Sequence, residues 1–249
     1  MTDDHTHVQE FFGARAADWD TRFPDDGPAY AAAVAEIGLR SGDAVLDAGC
    51  GTGRALPALR EAVGTAGYVI GVDLTPEMLT AAVRAGRHRD AQLLLADVAR
   101  LPVLAESLDA VFAAGLIAHL PRPEEGAREL ARTVKPGGLL ALFHPIGRAA
   151  LAARQGRRLT DDDLREEGRL RTLLAASGWR MTSYADEPGR FLALAVRDDQ
   201  RIQHRGRPRL PVTAPGPGAP AGGTRSGRKD PPGDPSSTPR GAAPPPMER

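Results

Sequence analysis

Residues 45–55 read VLDAGCGTGRA, and no other segment constrains the chain as tightly. An apolar run ends on Asp47. Glycines follow at alternate positions (Gly49, Gly51 and Gly53), and a helix-forming stretch comes next. A strand that turns at once into a helix needs torsions that a Cβ resists, and a ligand pressed against the backbone leaves no room for one. The N-terminus of the helix also offers free N–H groups to an anionic group. Spacing narrows the choice of ligand. A dinucleotide fingerprint, G-x-G-x-x-G, would need its third glycine at Arg54, and a P-loop would need G-K-[ST]; the segment has neither. Instead an acid stands two residues before the first glycine, where it suits a cation in the ligand and would repel a pyrophosphate. For the glycines alone, a tight strand-to-helix turn with no ligand is the simpler reading.

Two further acids strengthen the ligand reading. Asp73 ends YVIGVD, 26 residues after Asp47, and Asp97 ends LLLAD, 24 residues later. An acid at the end of the second strand is placed to accept hydrogen bonds from ribose hydroxyls, and one at the end of the third to accept from an adenine amino group. Each alone has a plainer explanation, because Asp commonly caps a helix or opens a turn. Three in succession, each after a buried-type run, point to one crevice along the C-terminal edge of a sheet.

The surrounding pattern supports that sheet. Short apolar runs (AVLDAG, YVIGVD, LLLAD, LDAVFAAG, LLALFHP) alternate with stretches at helical spacing (ALPALREAVG, PEMLTAAVRAGRH, PEEGARELARTV). That alternation predicts βαβ units and a parallel sheet covered on both faces. Thr75-Pro76-Glu77 predicts a capping hydroxyl ahead of a helix, and Lys135-Pro136-Gly137-Gly138 a cation in a last helical turn followed by a stop. A helix is expected from Thr160 to Ser177. WRMTSYAD and RFLALAVR, joined through Pro188-Gly189, predict an antiparallel hairpin. Two helical stretches, near Val8–Asp18 and Ala29–Leu39, precede the glycine segment.

These readings divide the chain into an N-terminal helical lid at 1–40, a ligand-binding domain at 41–200 and a tail at 201–249. The last 49 residues hold 12 of the 22 prolines and 8 of the 28 glycines, a composition that predicts disorder. The tail carries a charge of +6, so the first 200 residues carry −6, which gives no global footprint for nucleic acid. A single cysteine, Cys50, excludes an internal disulfide and fits a reducing compartment. No window approaches the roughly 20 apolar residues of a membrane span, and no secretory signal is visible; the expectation is a cytoplasmic protein without a membrane partner.

The order VLDAGCGTG, VIGVDLTPEML, LLLADVARLPV, LDAVFAAGLIAHL, RTVKPGGLLALFHP closely resembles class I S-adenosylmethionine-dependent methyltransferases, and most of all the group that includes ubiquinone- and menaquinone-biosynthesis enzymes. The similarity runs over roughly residues 10 to 197. It implies a Rossmann-like three-layer αβα sandwich with a seven-stranded, mostly parallel sheet in the order 3-2-1-4-5-7-6, strand 7 antiparallel. It implies S-adenosylmethionine as cofactor, with Gly49, Gly51 and Gly53 around its methionine portion and Asp47 near its amino group. Asp73 is implied on the ribose, Leu74 beside the adenine, Asp97 and the Val98 backbone at the adenine amino group, and Ala114 and Gly115 near the sulfonium. Trp19 and Phe23 are candidate walls of the lid, or ordinary packing.

Methyl transfer from a sulfonium is an in-line displacement that needs alignment and exclusion of water; a base is needed only for a protonated acceptor. His119 and His144, each after a strand, are the candidate bases, and each also reads as a structural contact. No metal is expected. Arg148, Arg154, Arg157 and Arg158 suit either an anionic substrate or an exposed helix. The chain lacks an Asn-Pro-Pro-[Tyr/Phe] segment after the fourth strand, which argues against methylation of nucleic-acid bases. A small-molecule acceptor is therefore expected, against two alternatives: a catalytically silent cofactor-binding regulator and a nicotinamide-dependent oxidoreductase.

Overall fold

In the computed structural model, which describes residues 3–22, 26–160 and 162–198, the seven apolar runs are all strands. They are β1 (Ala44–Ala48), β2 (Tyr68–Asp73), β3 (Gln92–Leu95), β4 (Leu108–Ala114), β5 (Val134–His144), β6 (Trp179–Glu187) and β7 (Arg190–Arg197). One sheet holds them in the order β3-β2-β1-β4-β5-β7-β6. β1 runs parallel to β2 and β4, whereas β7 is antiparallel to both β5 and β6. The tail expected at 201–249, and Phe23, lie outside the described residues.

Successive residues of a strand point to opposite faces, and both faces of this sheet are apolar. On β1, Val45 joins Val69, Phe112 and Phe143 in a core against α3 (Gly27–Ile37) and α4 (Leu56–Val63). Its neighbour Leu46 joins Val72, Val111, Leu130, Leu174 and Trp179 in a second core, against α6 (Pro123–Thr133) and α8 (Glu167–Ala176). The product is the expected three-layer sandwich. Full burial of one such side chain contributes about 1.5–3 kcal/mol, so each core supplies far more than any cap or surface ion pair.

Local expectations were met less evenly. α5 (Pro76–Arg84) begins after Thr75, but the Thr75 hydroxyl does not cap it; that hydroxyl and the Thr75 N–H both bond the Asp73 carboxylate. Lys135 lies in β5 and not in a last helical turn, because its ammonium reaches across to Asp109 of β4 at 2.6 Å. α8 starts seven residues later than expected. Asp163 accepts from the Arg165 N–H and guanidinium and holds the preceding stretch in a turn, and the Glu166 side chain then caps α8 through the Arg169 N–H. The first expected helix is also divided: α1 (Asp3–Gly13) ends at a glycine, and a 3-10 turn and the short α2 (Trp19–Arg22) follow.

Trp179 is fully buried between the sheet and α6, and its Nε1 donates to the Ala127 carbonyl at 2.9 Å. Trp179→Ala is expected to cost about 3–5 kcal/mol of unfolding free energy in a denaturant titration. A cost below about 1 kcal/mol would contradict this packing.

Candidate active site

The parallel register brings the C-terminal tips of β1, β2 and β3 side by side, with Asp47 opposite Gly71 and Asp73 opposite Leu95. Beyond these tips lies a cavity of about 910 Å³ that continues past β4 and β5. Single ligands fill pockets of about 300–1,000 Å³, so there is room for a nucleoside-sized ligand together with a small second molecule. Asp47, Gly49, Gly51, Asp73, Leu74, Asp97, Val98, Ala114, Gly115, His119 and His144 all line it.

Gly53 is the one candidate off the wall. It is buried with φ of +81°, and a Cβ there would meet Leu56 at 2.7 Å and Arg87 at 3.3 Å, so backbone conformation and internal packing both favour glycine. Gly51 is the opposite case. Its φ is +55° and a Cβ would find only Met78 Sδ, at 3.9 Å, so the backbone faces open space. The loop does not run straight into a helix either: residues 49–55 make turns, and α4 begins at Leu56 with a proline in its first turn. The Gly51 N–H, expected to be free for an anion, donates to Asp73 Oδ2 at 2.8 Å.

Around the tips of β1 and β2 the cavity wall gathers negative charge. Asp47 is 1% exposed and its Oδ1 has no hydrogen-bond partner. Burial, reinforced by the neighbouring Asp73 charge, pushes its pKa up to about 8. Burial also raises the Asp73 pKa, but the Thr75 and Gly51 N–H groups hold it back by bonding the charged form. Burial and Asp47 likewise push the Tyr30 hydroxyl up. Cys50 is buried against Gly71 and its thiol is pushed up by burial and by the two acids, which suits a small packing residue and not a nucleophile.

The N-terminal elements close over this end. Gln9 of α1 donates to the Leu74 carbonyl at 2.8 Å, and His5 Nε2 lies 3.8 Å from Asp97 Oδ2; Asp97 Oδ1 accepts from the Ala99 N–H. Trp19 lines the cavity and packs on Phe12, whose ring also meets His119 edge-on at 5.1 Å. Asp20 accepts from the Thr52 hydroxyl of the glycine loop and pairs with Arg87, each at 2.7 Å. Asp26 pairs with Arg54 at 3.3 Å. The sequence reading missed Asp20, Asp26, Tyr30, Thr52 and Arg87. Their partners are distant in sequence, 28 residues for Asp26 and Arg54 and 67 for Asp20 and Arg87, and no local periodicity marks such pairs.

At the other end, β4 delivers Ala114 and Gly115 and β5 delivers His144. His144 Nδ1 lies 2.9 Å from the Ile146 carbonyl, and its Cδ2 lies 3.9 Å from where a Gly115 Cβ would stand. Burial and the Arg165 charge depress the His144 pKa against the raising effect of the Ile146 bond. His119 closes a 3-10 turn at the rim, its pKa lowered by desolvation and Arg165. The segment from α7 (Arg148–Arg154) to Arg165 forms the far wall. Arg148 is buried there and serves structure: it pairs with Asp163 and Asp186, each at 3.5 Å, and bonds the Tyr184 hydroxyl. Among the described residues no group of three or more His, Cys, Asp or Glu is placed to hold a metal.

Comparison with known proteins fits this architecture. Residues 46–142 match the family model for the methyltransferase domain. This stretch is thus similar to methyltransferase domains, and the sheet that contains it has the strand order that the resemblance to the class I enzymes implied. The domain is 38% identical over 106 residues to demethylmenaquinone methyltransferase of Corynebacterium urealyticum, covering 43% of each chain. It is 34% identical over 108 residues to 27-O-demethylrifamycin SV methyltransferase of Amycolatopsis mediterranei, covering 42% of this chain and 39% of that one. The chain thus spans less than half the length of these curated relatives. A SAM dependent methyltransferase from Aquifex aeolicus superposes with a TM-score of 0.56 at 25% identity, over 66% of this chain and 87% of that one.

The residues of the domain fit its cofactor. The partnerless Asp47 oxygen calls for a cation or a donor, the backbone at Gly51 leaves room for a ligand, and three carboxylates line the same wall. Asp47 opposes folding as pH rises, because its folded pKa lies above the ordinary carboxylate value. Between about pH 4 and 8 the unfolded chain ionises this group while the folded one retains the proton. Asp47→Asn is therefore expected to raise the stability of the ligand-free protein by at least about 1 kcal/mol at pH 8, read by thermal or urea unfolding. The same variant should bind S-adenosylhomocysteine at least about tenfold more weakly. A variant both less stable and unchanged in affinity would contradict the assignment.

Proposed function

We propose that the protein transfers a methyl group from S-adenosylmethionine to a small-molecule acceptor. The observation that carries this reading is the single cavity with a cation-seeking carboxylate at one end and two histidines toward the other. In this reading Gly49 and Gly51 border the methionine portion and Asp47 holds its ammonium group. Asp73 accepts from the ribose, and Leu74, Asp97 and the Val98 backbone flank the adenine. Ala114 and Gly115 border the sulfur, and His119 and His144 face the acceptor. The bound cofactor supplies an electrophilic methyl on a sulfonium, with a neutral thioether as leaving group.

What the chain itself contributes is alignment, exclusion of water and handling of one proton. The helical segments over the cavity, with Phe12 and Trp19 on its wall, limit solvent access. Where the acceptor arrives as a hydroxyl, His144 takes the proton. In the tautomer that donates Nδ1–H to the Ile146 carbonyl at 2.9 Å the Nε2 lone pair is free to take it, whereas the other tautomer accepts the Ile146 N–H at 3.1 Å. Its depressed pKa keeps the ring neutral at pH 7. The demethylmenaquinone and 27-O-demethylrifamycin enzymes are named for organic small-molecule acceptors, which supports the same class here.

The test is transfer of label from methyl-labelled cofactor to a panel of hydroxyl, amine, thiol and carbon-acid acceptors. Incorporation into at least one supports the reading; tight S-adenosylhomocysteine binding with no transfer to any of them would favour a regulatory cofactor-binding protein. With a hydroxyl acceptor, His144→Gln is expected to lower kcat by about 10²–10⁴-fold and leave S-adenosylhomocysteine affinity within about twofold. The wild-type rate should fall with decreasing pH only below the ordinary imidazole range, since the ring accepts a proton less readily than usual. A rate that already falls above pH 7 would contradict the role of His144.

A further inference from the structure

The two ends of the cavity differ in charge. The carboxylates of Asp47, Asp73 and Asp97 lie at the end read above as the cofactor's, where Arg54 is already paired with Asp26. The far wall, from α7 to Arg165, contributes five arginines: Arg148, Arg154, Arg157, Arg158 and Arg165. Two of these are consumed internally. Arg148 pairs with Asp163 and Asp186, and Arg165 with Asp163 at 3.0 Å. The other three are exposed at the cavity mouth. Arg157 rests on the neutral side chain of Gln155, and Arg158 has no carboxylate partner among the described residues. Among the described residues the remaining acid lining this wall is Asp162, which is bonded to the Thr160 side chain. The described lining thus sets five arginines against Asp162 and Asp163. Apolar side chains stand beside it: Ile146, Leu151, Leu159 and Leu164 line the same end, and Leu159 is 41% exposed.

We infer that the acceptor is an amphipathic organic acid, with its apolar body against this aliphatic wall and its anionic group at Arg157 and Arg158. This rests on the methyl-transfer reading for what fills the other end. Guanidinium groups bind carboxylates through paired, charge-assisted hydrogen bonds. A cleft with one sign of charge also draws in ligands of the other sign and turns away like-charged ones. A cationic acceptor would meet repulsion from both the arginines and the donor sulfonium. An anion is attracted by both.

The inference is tested with the full chain saturated with S-adenosylhomocysteine and a matched pair of probes, 2-naphthoate and 2-naphthamide, titrated by calorimetry at low salt. The two share size and ring and differ in charge. The carboxylate is expected to bind at least about tenfold more tightly than the amide. In the double variant Arg157→Glu/Arg158→Glu this preference should vanish or invert, with S-adenosylhomocysteine affinity and melting temperature unchanged. Equal binding of the two probes, no binding of either at millimolar concentration, or a preference that survives the double variant would overturn the inference. Failure of the unmutated chain to bind S-adenosylhomocysteine would instead overturn the methyl-transfer reading beneath it.

Discussion

Two carboxylates that water can hardly reach stand at the tips of β1 and β2, and much of the site follows from how each is compensated. Asp73 is tied to the backbone by the Gly51 and Thr75 N–H groups, so its charge is tolerated in place. Asp47 has no such support on Oδ1 and holds its proton to about pH 8. The fold tolerates this because the sheet cores on either side are extensive. A charged, unsatisfied group in a buried position is costly, and such costs concentrate where a ligand is meant to remove them.

The hydrogen bond from Gly51 to Asp73 also explains the loop. It joins the first two strand tips 22 residues apart in sequence and presents the glycine backbone to the cavity. Thr52 extends the connection outward, since its hydroxyl donates to Asp20 beneath the N-terminal helices. The loop is therefore held from the sheet side by Asp73 and from the side of the N-terminal helices by Asp20. Gly51, Thr52 and Asp73 all line the cavity, so a ligand seated there lies against the bonded loop itself.

Much of this was legible in the sequence. Alternating apolar runs and helical stretches carry the layer arrangement, because a parallel strand buried on both faces has few other compositions open to it. The acids at 47, 73 and 97 were legible as a set because each follows such a run. Other features were not. The role of Gly53 depends on Leu56 and Arg87 occupying the space beside it. Thr75 stands at the capping position, but its hydroxyl donates to the Asp73 carboxylate and accepts no N–H from the helix. Arg148 looked like its neighbours Arg154 and Arg157, and its burial with Asp163, Tyr184 and Asp186, the last 38 residues away on β6, distinguishes it. Each depends on which side chain happens to occupy the space beside it, and such contacts leave no periodic trace.

The central claim is that the proton on Asp47 gives way to a cationic ligand. Calorimetric titration with S-adenosylhomocysteine at pH 7, in two buffers of differing ionisation enthalpy, measures that exchange directly. A group with a pKa of about 8 is mostly protonated in the ligand-free protein at that pH. The account predicts release of close to one proton per ligand bound, seen as a buffer-dependent heat. Binding whose heat is the same in both buffers would contradict it.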